Sequence, residues 1–238
     1  MINDEKRDYL MSDAELCMFT STLCDLLTRD LADLAVFGVT AAKITELKAL
    51  GDAFEVFPTD GSVQGDVMMA TEQKNLYREQ VLEAIRNMAL RVEIKWGIKS
   101  SNYRLLDLTI PPSKQQDDTL LATSRTVHSR MTEFLTDLTP FGLTQQLIDD
   151  YEATNEQFEM AVKAQRAAVA NRDILKRERI LKGNEIYQHV SNYCNIGKRI
   201  YEKTNSAKYN DYLIYEINAG TVKSPTNLRF DIASLTLS

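Results

Sequence analysis

Apolar residues recur at steps of three and four along most of the chain, the spacing of helices that bury one face. Leu16, Leu23, Leu27, Leu31 and Leu34 make the first such stripe. Ahead of it, Ser12-Asp13-Ala14-Glu15 has the form of a capping box, Ser at N-cap and Glu three residues on. The pattern predicts a first helix from there to about Val36. A second begins after Thr40 and stops near Phe57, because Pro58 cannot continue it. Thr59-Asp60-Gly61-Ser62 reads as a turn. A long third helix is predicted over 67–97. Tyr77, Val81, Ile85, Met88 and Val92 form its buried stripe, Trp96 lies near its end and Gly97 closes it. A shorter piece holds Tyr103, Leu105, Leu106 and Leu108.

The corner between the first two helices, Phe37-Gly38-Val39-Thr40, recurs as Phe141-Gly142-Leu143-Thr144, 104 positions later. Gly38 and Gly142 suit the left-handed residue that closes a helix, Thr40 and Thr144 suit the next N-cap, and Phe37 and Phe141 are expected to cover the elbow from inside. The match extends outward at the same shift. Leu16, Leu23, Leu27, Leu31 and Leu34 answer Leu120, Val127, Met131, Leu135 and Leu138. Ile44, Leu47 and Phe54 answer Ile148, Tyr151 and Phe158. An internal duplication is the expectation, with each copy an up-and-down helical bundle.

Ile110-Pro111-Pro112-Ser113-Lys114-Gln115-Gln116 is the clearest linker, since two prolines and a polar run exclude helix. The expected division is therefore a charged arm over 1–11, a first bundle over 12–108, a linker over 109–116, a second bundle over 117–216 and a tail over 217–238. Residues 144–204 contain no proline. They either reverse between Ala167 and Arg172 or continue as one long helix; the pattern leaves both open. Tyr187, Val190, Cys194, Gly197 and Tyr201 are spaced as a bundle seam. Ser206-Ala207-Lys208-Tyr209 echoes Ser100-Ser101-Asn102-Tyr103. In the tail, Leu228, Phe230 and Ile232 alternate with Arg229 and Asp231, a strand pattern.

Charge sharpens this picture. Residues 1–60 carry twelve acids and five bases, and 117–160 carry nine and two; residues 61–116 carry six acids and eight bases, and 161–203 carry four and ten. Each copy thus has an acidic front and a basic back. One reading makes Arg166, Arg172, Lys176, Arg177, Arg179 and Lys182 a docking face for an acidic partner. The simpler one sets acidic and basic helices side by side in each bundle. A net charge of −6 argues against nucleic acid and anionic membranes as partners. No apolar run reaches the length of a transmembrane helix. The charged N-terminus lacks a signal-peptide core, so a cytoplasmic location is expected unless a leader has been removed.

Candidate chemistry is sparse. Cys17, Cys24 and Cys194 read as reduced core thiols. His128 and His189 lack the Glu-x-x-His partners of a di-iron bundle. Asp149-Asp150 comes just after a helix cap, where acids favour the dipole. Phosphate-binding loops and nucleophile elbows are not found. Neither a catalytic residue nor a cofactor is expected. Tyr209, Tyr212 and Tyr215 recur at three-residue steps; such a row either serves a protein interface or closes a bundle end with its hydroxyls in water.

The motif of Phe37 to Thr40 with Phe54, its echo at Phe141 to Thr144 with Phe158, and the segments ending at Tyr103 and Tyr209 resemble a group of uncharacterised bacterial tandem helical-bundle proteins of unknown function. The resemblance implies an all-helical duplicated fold and transfers no functional residue. The function expected is a non-enzymatic structural or protein-interaction component, joining a protein partner or a second copy. Leu228, Phe230, Ile232, Tyr209, Tyr212 and Tyr215 are the candidate contacts. The alternative is a binding module for a small apolar or anionic ligand, in a cavity lined by Tyr187, Tyr201 or Trp96.

Overall fold

The computed structural model describes residues 6–214. Tyr215 and the Leu228, Phe230, Ile232 pattern lie outside the described residues. Within them every regular element is helical. Helix α1 (Asp13–Arg29) starts on the expected box: Glu15 N–H donates to the Ser12 hydroxyl and Ser12 N–H to the Glu15 carboxylate. A short α2 (Leu31–Leu34) and one 3-10 turn lead to the corner, and α3 (Ala41–Glu55) continues from it. After Pro58 comes α4 (Asp60–Trp96), then α5 (Ser101–Arg104), α6 (Asp117–Glu133), α7 (Leu135–Leu138), α8 (Gln145–Tyr201) and α9 (Ser206–Asp211).

The two corners adopt the same backbone. Gly38 and Gly142 are left-handed, at φ 80° and 79°. Val39 N–H reaches back to the Leu34 carbonyl at 3.4 Å, and Leu143 N–H to Leu138 at 3.1 Å. This is a Schellman closure, and the Thr40 and Thr144 hydroxyls cap the next helices. Contrary to expectation, the phenylalanines do not cover the elbow from inside; Phe37 is 60% and Phe141 39% exposed. The left-handed glycine instead turns the next residue inward. Val39 and Leu143 are buried, beside the likewise buried Leu34 and Leu138.

Two further expectations shift. Thr59-Asp60-Gly61-Ser62 is not a free turn. Thr59 accepts a hydrogen bond from Ser62 N–H and starts α4 seven residues before the expected 67. Residues 145–201 are one helix of 57 residues, with no reversal near Ala167 to Arg172.

Contacts divide the chain into two compact units, and neither unit is one copy of the repeated pattern. One contains the described residues up to Phe57 together with those from Arg177 on; the other is Pro58–Lys176. In the first, Leu16, Leu23, Leu27, Leu34, Val39, Leu47 and Phe54 bury against Ile186, Val190, Cys194 and Tyr201 from the far end of α8. In the second, Leu120, Val127, Met131, Leu138, Leu143, Tyr151 and Phe158 bury against Val81, Ile85, Met88 and Val92 of α4. The front of each copy is thus completed by the back of the other. The expected boundary at 109–116 fails physically because that segment is stitched into one unit. Gln115 is buried, its carbonyl accepts from Arg78 at 2.6 Å, and Asp117 pairs with Lys74 and Arg78, each at 2.7 Å.

A Cβ is strained at a left-handed corner, so Gly142→Ala is expected to cost about 1–2 kcal/mol, read as a lower urea midpoint. A protease site inserted between Ser113 and Lys114 tests the exchange of halves. After cleavage the two fragments are expected to co-elute as one folded species; separate, helical fragments would contradict the arrangement.

Candidate functional site

The unit with α1 and α3 has a polar clasp at one end. Asp30 interrupts the helix between α1 and α2, and its carboxylate has no exposed surface. It accepts from Arg29 at 2.7 Å, from Lys208 at 2.7 Å and from the Tyr212 hydroxyl at 3.0 Å. Arg29 also meets Asp211 at 2.9 Å, and the Tyr201 hydroxyl donates to Asp33 at 2.8 Å. Burial by itself would raise the Asp30 pKa, but the Arg29, Lys208 and Tyr212 hydrogen bonds outweigh it and hold the carboxyl at about 2. Burial and the neighbouring Asp30 push the Tyr212 hydroxyl well above the usual tyrosine range.

This clasp settles where two of the three tyrosines stand. Tyr212 is fully buried and stacks 5.9 Å from Tyr201, over Gly197, where any Cβ would overlap its ring. It is a closing residue whose hydroxyl meets Asp30 rather than water. Tyr209 is half-buried beside a recess of about 210 Å³ lined by Asn195, Lys198, Arg199 and Glu202.

A second construction lies at the other end of the same unit. Tyr9, in the arm before α1, is buried with its ring 5.7 Å from Tyr187, against α8 at Gly183. Its hydroxyl donates to Asp13 at 2.8 Å. Asp13 also takes Arg7 at 2.9 Å and Arg179 at 2.6 Å. Burial opposes ionisation there too, yet the Tyr9 and Arg179 hydrogen bonds lower the Asp13 pKa. Arg179 caps the carbonyl of Phe57 at 2.9 Å and lies 4.8 Å over the Phe54 ring. The Asn184 side chain addresses the arm's backbone in both directions. It accepts from Asp8 N–H and donates to the Lys6 carbonyl, each at 2.9 Å. The sequence pattern brings out Asp13, Arg179 and Tyr187 in other roles, but not Tyr9, Gly183 or Asn184. The signal was a glycine inside a proline-free helix, where glycine costs up to about 1 kcal/mol relative to alanine.

The other unit uses different chemistry at the matching positions. Where Asp30 stands in one, Phe134 stands in the other, edge-on to Trp96 at 5.1 Å. Thr20 packs its methyl against Gly51. Its counterpart Ser124 instead joins a buried polar cluster with Tyr151, at 2.6 Å, and Asn155. A recess of about 480 Å³ opens between α4 and the linker, lined by Leu82, Ile85, Ala89, Leu90, Tyr103 and Leu108, with Arg86 and Glu93 at hand. Neither this recess, the one near Tyr209, nor a third of about 270 Å³ beside Pro58 is lined by Tyr187, Tyr201 or Trp96.

The remaining candidates take structural positions. Arg166 pairs with Asp118 at 2.7 Å, Arg172 with Asp173 at 2.8 Å, and Lys182 sits 5.5 Å over Phe57, so these cations are engaged within the chain. Acidic and basic segments do lie side by side. Asp13 with Arg179, and Asp137 with Lys95 at 2.7 Å, join opposite copies of the pattern. Asp149 and Asp150 accept from Gln145 and Gln146 of their own helix. His189 stacks on Tyr193, and His128 lies 3.8 Å from Glu152. Cys24 and Cys194 are buried free thiols, and burial pushes Cys194 up to about 12. Among the described residues, no three or more His, Cys, Asp or Glu side chains are grouped to hold a metal. No described helix is long and apolar enough to cross a membrane. No protein family, curated protein or solved structure matches the chain.

The Asp30 clasp gives a pH prediction. Its carboxyl ionises more readily folded than unfolded, from an ordinary 3.8 down to about 2. The folded state therefore binds fewer protons, and the stabilisation, about 2 kcal/mol, is present above pH 4 and lost as pH falls towards 2. Asp30→Asn is expected to lower stability near neutrality, with the gap to the unaltered chain narrowing between pH 4 and 2 in denaturant titrations.

Proposed function

We propose that the chain is a non-enzymatic structural or protein-interaction component, built by internal duplication into up-and-down helical bundles, that joins a protein partner or a second copy of itself. The observation that carries this reading is a group of large apolar side chains left in solvent on one unit. Leu90 and Ile94 come at a four-residue step near the end of α4, 51% and 61% exposed, and Ile98, just past the helix, is 57% exposed. Leu105 and Ile110 nearby in sequence are 43% and 57% exposed. Large residues exposed in such a group mark contact surfaces more often than single exposed leucines do. Each core is built from segments distant in the chain, which also suits a protein that assembles. A tail strand at Leu228, Phe230 and Ile232 would add to a neighbour's sheet edge. The cytoplasm remains the proposed location, and the bacterial tandem-bundle group the proposed kinship.

A second reading has one observation in its favour. The recess of about 480 Å³ between α4 and the linker has the size of a small-molecule site and an apolar lining with Arg86 beside it. An apolar ligand with an anionic end fits that lining, and a ligand-dependent rise in melting temperature, abolished by Ala89→Trp, is the check.

The interaction reading is tested by solution mass. Light scattering is expected to show the full chain assembled and a chain ending at Glu216 monomeric. Assembly that survives the truncation removes the tail from the mechanism and leaves the α4 surface to account for it. A monomer in both cases, with no partner recovered by pull-down, would overturn the reading.

A further inference from the structure

We propose that the face of α8 around Gly183 and Asn184 is a peptide-binding cradle. In this structure it holds the chain's own residues 6–9. In trans it accepts a non-helical segment with a tyrosine and a basic residue two positions before it. The proposal deepens the interaction reading above and rests on it.

The geometry reads a peptide in three independent ways. The Asn184 amide takes one backbone N–H and gives to one backbone carbonyl, at Asp8 and Lys6, two residues apart. That pair of bonds engages main chain, whatever the side chains of the segment. The second element is the notch. Gly183 leaves room that no other residue could, since a Cβ there would overlap Tyr9. The ring settles against Tyr187, and its hydroxyl ends on Asp13. The third is charge: Asp13 also pairs with Arg7, which explains the preference for a basic residue at that place. Backbone bonds that supply affinity, together with pockets that supply specificity, are the usual division of labour in peptide recognition.

The segment can leave without unravelling the helix beside it. Helix α1 starts on its own capping box at Ser12 and Glu15, and Asp13 keeps Arg179 when Tyr9 departs. The losses include the burial of one tyrosine with its hydrogen bond to Asp13, two bonds between Asn184 and the arm's backbone, and one ion pair that is partly exposed. A glycine in the middle of α8 weakens that helix, and the notch for Tyr9 is what the position gains in return. A short tether gives the chain's own segment a millimolar effective concentration, so a partner must outcompete it or find it displaced.

The test uses a fluorescent peptide with the sequence of residues 6–12, Lys-Arg-Asp-Tyr-Leu-Met-Ser, titrated against the full chain by anisotropy. With Tyr9→Ala in the chain, saturable binding is expected, at least about tenfold tighter than to the unaltered chain. A peptide with alanine for tyrosine is expected not to bind, and adding Asn184→Ala to the Tyr9→Ala chain is expected to weaken binding severalfold. A Tyr9→Ala chain that keeps its helical circular dichroism but leaves the peptide free at millimolar concentration overturns the cradle. Hydrogen exchange on the unaltered chain decides if that variant does not fold. The Asp8 amide should exchange much faster than Val190; equal rates mean the arm opens only with the whole unit, and the proposal fails. Solution mass bears on assembly through the tail or α4, and the titration on the cradle, so the two can fail separately.

Discussion

The continuity of α8 is the constraint on which the architecture depends. A helix of 57 residues gives Tyr151, Phe158 and Val162 to one hydrophobic core and, without a break, Ile186, Val190, Cys194 and Tyr201 to a second. The stripes left open on α1 and α3 are therefore filled by residues 186–201, and those on α6 and the start of α8 by α4. The polar pairs obey the same logic. Asp13 with Arg179, Asp33 with Tyr201 and Asp137 with Lys95 fix which helix neighbours which, more than they add net stability.

The units share a plan and differ in the chemistry that completes it. Eight pairs of apolar residues 104 positions apart, from Leu16 and Leu120 to Phe54 and Phe158, are buried on both sides. Around that shared frame, one unit closes with a buried carboxylate among cations and tyrosines, the other with tryptophan on phenylalanine. A buried ionic cluster demands complete hydrogen bonding and responds to acid; an aromatic pair does neither. The two closing clusters thus meet changes of pH with different sensitivities although the matching apolar positions of both units are buried.

The features legible in the sequence were local. The capping box at Ser12, the glycine closures at Gly38, Gly97 and Gly142, and the stripe from Val81 to Val92 rest on interactions within a turn or two, and each is where the spacing put it. The features that stayed hidden were non-local. Pro111-Pro112 looks like a boundary because prolines end helices, yet a helix end need not be a domain end, and Gln115 is buried a few residues on. Phe37 is expected to cover the elbow from inside, while the left-handed glycine beside it turns Val39 inward instead. The row of tyrosines puts Tyr212 at a protein interface or at a bundle end with its hydroxyl in water, whereas that hydroxyl meets Asp30, 182 residues away. Nothing in local periodicity announces such a pair.

The division at Phe57 and Arg177 also sets an order of events on the ribosome. The unit Pro58–Lys176 is one unbroken stretch and has all its parts as soon as α8 is half made. The segment that precedes it has no such fortune. Its leucines wait for a seam about 120 residues downstream. At ordinary elongation rates that is roughly ten seconds with an open apolar stripe. Of the two units, the one begun earlier is thus completed later, and during synthesis its open stripe is the surface with more need of a chaperone's cover.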